Sequence, residues 1–206
     1  MQQGTLSREM RLMCGGGEVT VRALRFVSMD EKHLLALRFE VMCSLPARVE
    51  IAAYLDGRVH NEDSNYDEVF WEQLDGGAGE KAGWLLCRTR ENPFDVPRFS
   101  VAGAYVAQTD MRPTGGRQEP GFAESGFVKE LQAGETAELK KLVCLFTDRD
   151  GPMDALAETA RGLAEAQARV GFEGLLSAHL VAWRRKWEAA DVEILGDEAA
   201  QQGIRF

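Results

Sequence analysis

The chain has 206 residues, enough for one substantial core with a helical appendage. Its 45% hydrophobic and 28% charged residues are ordinary for a globular protein, and 24 Lys and Arg against 33 Asp and Glu leave a net charge of −9. That balance excludes the basic footprint of a nucleic-acid or anionic-membrane binder, and no apolar run approaches the ~18 residues of a membrane span, so neither partner is expected.

Residues 5–148 carry the punctuation of an antiparallel β domain. Val19 and Val21 share one parity and Leu24 and Phe26 the other, which predicts a bulge or sharp twist near Ala23. Leu35, Leu37, Phe39, Val41 and Cys43 alternate with more polar residues and predict a strand with one buried face. Val49, Ile51, Ala53 and Leu55 repeat the pattern after the turn residues Ser44, Leu45, Pro46 and Ala47, so the two runs are expected to form a hairpin. Residues 56–67 and 109–121 read as long loops, and residues 76–83 as a hairpin tip. Further strands fit residues 82–90, 98–108, 122–131 and 136–147. In the last of these, Leu142, Val143, Cys144, Leu145 and Phe146 are apolar on both parities, which predicts a strand covered on both faces.

At Asp150, Gly151 and Pro152 the period changes. Pro152 fits a first helical residue, and Met153, Leu156, Ala160 and Leu163 follow at helical spacing until Gly171. A second helix over 173–190 places Leu176, Leu180, Trp183 and Trp187 on one face, the pattern of a strut docked on something large. Residues 191–194 then alternate like a short strand, and Asp197 fits the cap of a further helix that has only begun at Phe206. So short a helix is marginal by itself, and the C-terminus reads as a cut. Strands followed by helices give the expected class: mainly β, an antiparallel sandwich with an α-helical linker packed beside it.

Cys14, Cys43, Cys87 and Cys144 form no CxxC or Cys/His cluster, and the first twenty residues hold no apolar stretch of signal-peptide length. Free thiols in a reducing cytoplasm, without metal or cofactor, are the expectation.

The C-terminal run His179-x3-Trp183-x3-Trp187-x3-Asp191-Val192-Glu193-Ile194-x-Gly196-Asp197-x3-Gln201-x2-Ile204-Arg205-Phe206 resembles the linker of glycoside hydrolase family 65, which includes maltose, kojibiose and trehalose phosphorylases and related hydrolases. Gly4 to Glu9 and Arg25 to Leu34 are similar to the later part of that family's N-terminal β-sandwich. The resemblance implies a supersandwich of the galactose-mutarotase-like type over residues 1–149. It also implies a linker over residues 150–206, leading to an (α/α)6 barrel that is not in this sequence. The family's first sandwich segment and its whole barrel have no counterpart here, so an internal, non-catalytic piece of an enzyme acting on α-linked glucosides is expected. In such enzymes the barrel carries the general acid and takes inorganic phosphate or water as nucleophile.

Asp30 with His33 is half of a metal or acid/base site, but a turn in which Asp bonds its own backbone is the simpler reading. His60, Asn61 and Tyr66 in the first long loop, with Trp71 beyond it, offer the polar partners and aromatic faces that a sugar needs, and they are the carbohydrate-contact candidates. The two long loops are expected to face the barrel. His179 reads as a packing or capping residue. Splitting a glycosidic bond requires two carboxylates, one of them protonated, and no pair stands out by spacing, so no catalytic residue is assigned. The alternative class is a free-standing carbohydrate-binding sandwich. An unpaired sheet edge and an uncovered helix face predict a homo-oligomer.

Overall fold

The computed structural model describes residues 3–60 and 69–205. The strands are β1 (Thr5–Cys14), β2 (Gly17–Val27), β3 (Leu34–Cys43), β4 (Ala47–Asp56), β5 (Trp71–Ala78), β6 (Ala82–Thr89), β7 (Ser100–Gln108), β8 (Arg112–Glu119), β9 (Phe122–Leu131) and β10 (Thr136–Thr147). The helices are α1 (Met153–Val170), α2 (Phe172–Ala190) and α3 (Glu198–Ile204). A seven-stranded antiparallel sheet runs in the order β1-β2-β3-β10-β7-β6-β5, and a three-stranded sheet, β4-β9-β8, packs on one of its faces. Helices α1 and α2 cover the other face.

β10 lies at the centre of this arrangement, and its sequence explains why. Leu142, Cys144 and Phe146 point toward the helices, where Ala102, Ala104, Leu156 and Ala160 meet them. Ala137 and Leu139 point the other way, onto Tyr105, Phe127 and Leu131 between the sheets. Each fully buried leucine contributes about 1.5–3 kcal/mol, so a strand apolar on both parities is stable only where both faces are covered. Small residues on α1, Ala160 and Ala164, let that helix approach the sheet closely. Burial pushes the Cys144 thiol up to about 12, which leaves it a packing group. Cys43 and Cys87 are also buried, Cys14 is exposed, and all four are free.

Several sequence expectations change. β3 and β4 do not form a hairpin: β3 pairs with β2 and β10, whereas β4 pairs with β9 in the other sheet. The Ser44 to Ala47 turn is therefore a corner between layers, and alternation alone could not reveal it because both strands present one apolar face to the same inter-sheet core. No bulge interrupts Ala23; the registers β1–β2 and β2–β3 are unbroken. The switch of parity arises because Val19 and Val21 face the small sheet while Leu24 and Phe26 face the helices. Most of the 109–121 segment is strand β8, not a loop. It pairs only with β9, so Pro113 sits at a sheet edge, where its missing N–H is tolerated, and the register shifts between Pro113 and Gly115. Residues 191–194 form no strand. Gln201 holds them by accepting from Ile194 N at 2.6 Å and donating to Val192 O at 2.9 Å. The cap of α3 is as expected, with Asp197 accepting from Ala200 N at 2.9 Å.

The inter-sheet core contains two polar devices. Tyr105 Oη lies 2.8 Å from Ser125 Oγ, which ties the two sheets through fully buried side chains, and Ser125 donates onward to the carbonyl of Gly79 at 2.8 Å. Gly83 makes room for that ring, since a Cβ there would stand 2.7 Å from it. The second device is Lys141. It takes an inward position on β10 between Leu139 and Val143 and donates to the carbonyl of Tyr54 on the edge strand β4. The rings of Tyr54 and Tyr105 stand 5.6 and 5.2 Å from its ammonium. Burial pulls this amine down to about 8.

The sign of the effect follows from that depression. Between pH ~8 and ~10.4 the unfolded chain binds more protons than the folded one, so Lys141 makes stability rise with pH through that window. A Lys141→Met variant is expected to be more stable than the parent by about 1–3 kcal/mol at pH 7, and the difference should vanish above pH ~10. Urea unfolding of both proteins across this range measures it. A difference that does not change with pH would contradict the assignment.

Candidate functional site

Helix α2 is tied by hydrogen bonds to the segments flanking β1 and β2 through one buried residue, His179. His179 is 1% exposed and lies on the buried stripe of α2 with Phe172 and Leu175, one position from the stripe expected through Leu176 and Leu180. Its Nδ1 accepts from Met29 N at 3.2 Å, and its Nε2 donates to the carbonyl of Gln3 at 2.9 Å. Since an amide N–H must be met by a lone pair and a carbonyl by a proton, these contacts fix the Nε2–H tautomer. The ring stacks on Phe26 at 4.8 Å and on Trp183 at 6.3 Å, and Phe172 meets Phe26 edge-on at 5.6 Å. Gly4 permits this closeness: its φ is +57°, and a Cβ would lie 3.1 Å from His179 Nε2 and from the Trp183 indole. One imidazole thus joins the segment before β1, the connection after β2 and the middle of α2.

Beside this junction a cleft of about 910 Å³ opens on the inter-sheet face of β2, β3 and β10. The three-stranded sheet leaves this part of the larger sheet uncovered. Val27, Leu35, Leu37 and Val143 line it with Arg25 and Lys141, and Trp183 stands at its end. Lys141 and Arg25 were missed from sequence. The available signal was parity, because Lys141 occupies an inward position of an otherwise apolar strand.

Of the carbohydrate-contact candidates, His60 is exposed, and Trp71 is half-buried at the start of β5, packed against the cluster of Leu85, Cys87 and Ala123. Asn61 and Tyr66 lie outside the described residues. Val59 and Trp71 share a smaller cavity of about 250 Å³ with Leu55, Asp56 and Cys87. The turn expected near Asp30 is present, but Asp30 does not cap it. Ser28 Oγ organises that turn by accepting from the N–H groups of Asp30 and Glu31. His33 instead stacks on Phe146 at 3.8 Å, has its Nδ1 2.7 Å from the Leu145 carbonyl and approaches Asp150 at 3.7 Å. Hydrogen bonds from Thr147, then from Lys32, hold Asp150 down at about 2.

Glu9, Asp56, Asp110 and Asp191 are likewise shifted downward, chiefly by side-chain hydrogen bonds from Arg22, Arg58, Lys129 and Arg205 respectively. Such carboxylates remain ionised, the opposite of what a general acid for glycoside cleavage requires. Among the described residues no three His, Cys, Asp or Glu side chains cluster as a metal site, and no helix is long and apolar enough to cross a membrane.

Comparison with known proteins places this architecture. The whole chain aligns at 36% identity with maltose phosphorylase of Bacillus subtilis (strain 168), covering 27% of that protein. It aligns over its whole length at 26% identity with alpha,alpha-trehalose phosphorylase of Thermoanaerobacter brockii, covering 28% of it. A solved structure from the human microbiome, provisionally called a kojibiose phosphorylase, superposes on 99% of the chain with a TM-score of 0.86 at 13% identity, over 26% of its own length. The chain therefore spans about a quarter of the length of the relatives it matches. The model of the N-terminal domain of glycosyl hydrolase family 65 matches residues 1–186, and the chain belongs to that family as its N-terminal domain.

Proposed function

We propose that residues 1–149 are a non-catalytic scaffold and residues 150–206 a linker. Together they position the helical catalytic barrel of a longer cytoplasmic enzyme that cleaves α-linked glucosides with inorganic phosphate or water. The observation that carries this reading is the His179 junction, which fixes α2 to the sandwich from both sides and so fixes the direction in which the following polypeptide leaves. The substrate class comes from the family and from relatives that are maltose and trehalose phosphorylases. The ionised, arginine-paired carboxylates support assigning the chemistry to other parts of such an enzyme. Self-association into a homo-oligomer completes the reading, supported by the open edge of β1 and by exposed Leu12 and Met13 on that strand.

Two measurements test this. Incubated with maltose and phosphate, the 206-residue chain alone should release no glucose 1-phosphate, whereas a polypeptide continuing into the barrel should. A His179→Ala change in that longer polypeptide should lower its stability by about 2–4 kcal/mol while leaving the KM for the sugar unchanged. Turnover by the short chain alone would overturn the scaffold assignment. Light scattering at high protein concentration should give a dimer or larger species, and a monomer throughout would contradict the oligomer.

A further inference from the structure

The uncovered part of the large sheet has a distinctive composition. The register aligns Leu6, Arg25, Leu37 and Lys141 in one row across β1, β2, β3 and β10, and Val27, Leu35 and Val143 in the next. A third row brings Arg8, Ala23, Phe39 and Leu139 together. Every strand residue on this face of these four strands is thus apolar, threonine or cationic. The charged residues are Arg8, Arg25 and Lys141, and the carboxylates of the same strands, Glu9, Glu18, Glu40 and Glu138, lie on the opposite face. In a chain of net charge −9 this is a local reversal.

Neighbouring strands lie about 4.8 Å apart, so Arg25 and Lys141, two strands apart with Leu37 between them, have Cα atoms about 10 Å from each other. Among the described residues neither forms an ion pair. Lys141 Nζ has the Tyr54 carbonyl and two tyrosine rings as partners, none of which carries a full negative charge. A partly buried ammonium without a counter-ion is stabilised by any anion that reaches it, and more strongly than in water because the surroundings are less polarisable. The cleft over the first two of these rows, about 910 Å³, is of the size that holds a small organic molecule.

We propose that this cleft is a binding site for a small organic anion, one with an apolar body and a single carboxylate, sulfonate or phosphate group. The body lies on Val27, Leu35, Leu37 and Val143, and the charged group sits between Arg25 and Lys141. The charge supplies orientation and the apolar rows supply contact area. The cleft borders the His179 junction, whose Gly4, Phe26, His179 and Trp183 close one end of it, and the proposal does not depend on the reading of the chain as an enzyme scaffold.

The test uses the 206-residue chain and two probes with the same kind of aromatic body. 8-Anilinonaphthalene-1-sulfonate carries the anion, and N-phenyl-1-naphthylamine lacks it. The sulfonate should bind saturably at one site per chain, with its Kd raised at least tenfold in Lys141→Met and raised further in the Arg25→Gln/Lys141→Met double variant. Lys141→Met relieves a buried charge and keeps the fold, which circular dichroism verifies. Lys32→Met, remote from the cleft, should bind as the parent does. Decanoate should displace the sulfonate and decanol should not. The neutral probe should bind weakly and equally to the parent and to Lys141→Met. Equal sulfonate affinity in the parent and Lys141→Met would overturn the proposal, as would equal binding of the two probes to the parent. Sulfonate binding that falls as the chain dimerises would assign the face to a second copy instead and overturn it as well.

Discussion

The central strands of the large sheet must be dry on both sides, and the rest of the molecule is arranged to satisfy that. Leu142 and Cys144 are 0% exposed on one face of β10, and Ala137 and Leu139 are at 2% or less on the other. A sheet this apolar cannot leave most of its middle in water, so it acquires two covers of different construction. Alanine-rich α1 and the first half of α2 form one. The three-stranded sheet β4-β9-β8 forms the other, bridged to the large sheet by Tyr105, Ser125 and the Gly79 carbonyl. The covers differ in extent. The small sheet stops at β4, and the apolar rows on β1, β2 and β3 continue beyond it, which is where the cationic cleft lies.

Between the helical cover and the segment leading into β1, His179 does what a purely apolar side chain could not. Packing alone would allow α2 to slide along the sheet, since contacts between alkyl groups are non-directional. Two hydrogen bonds of opposite sense, one to Met29 and one to Gln3, specify both the rotation and the height of the helix. The aromatic stack of Phe26, His179 and Trp183 supplies area around that fixed point. A family 65 N-terminal domain would gain from such a joint, because any rotation at the linker is amplified in whatever follows it.

Much of this was legible in the residues. The two-sided run at Leu142 to Phe146 announced a central strand, although its second face is open there, with Val143 lining the cleft and Leu145 exposed; Pro152 and Gly171 bounded α1, and Asp197 announced a cap, because these features are set by local geometry and parity. Pairing was less legible. β3 and β4 each alternate cleanly, but alternation records that a face is buried and not which strand lies alongside, so a corner between two sheets reads as a hairpin. β8 was invisible because Pro113, Gly115 and Gly116 are loop residues by propensity and become a strand only through β9. The reading of His179 as a packing residue was right in kind, while its two partners, 150 and 176 residues away in the chain, carry no local signal. For the sugar-contact candidates, Trp71 lies against the core and His60 is exposed, whereas Asn61 and Tyr66 fall outside the described residues.

Native-state hydrogen exchange tests most directly whether the helices and the sandwich form a single cooperative unit, on which the scaffold role rests. Amides in α1 and in α2 as far as Trp183 should exchange only through the same global opening as those of β10, with matching free energies and matching dependence on denaturant. Helical amides that exchange through a separate opening, at least ~1.4 kcal/mol (tenfold) easier than that of β10, would mean the helices are only loosely attached, and would contradict the account.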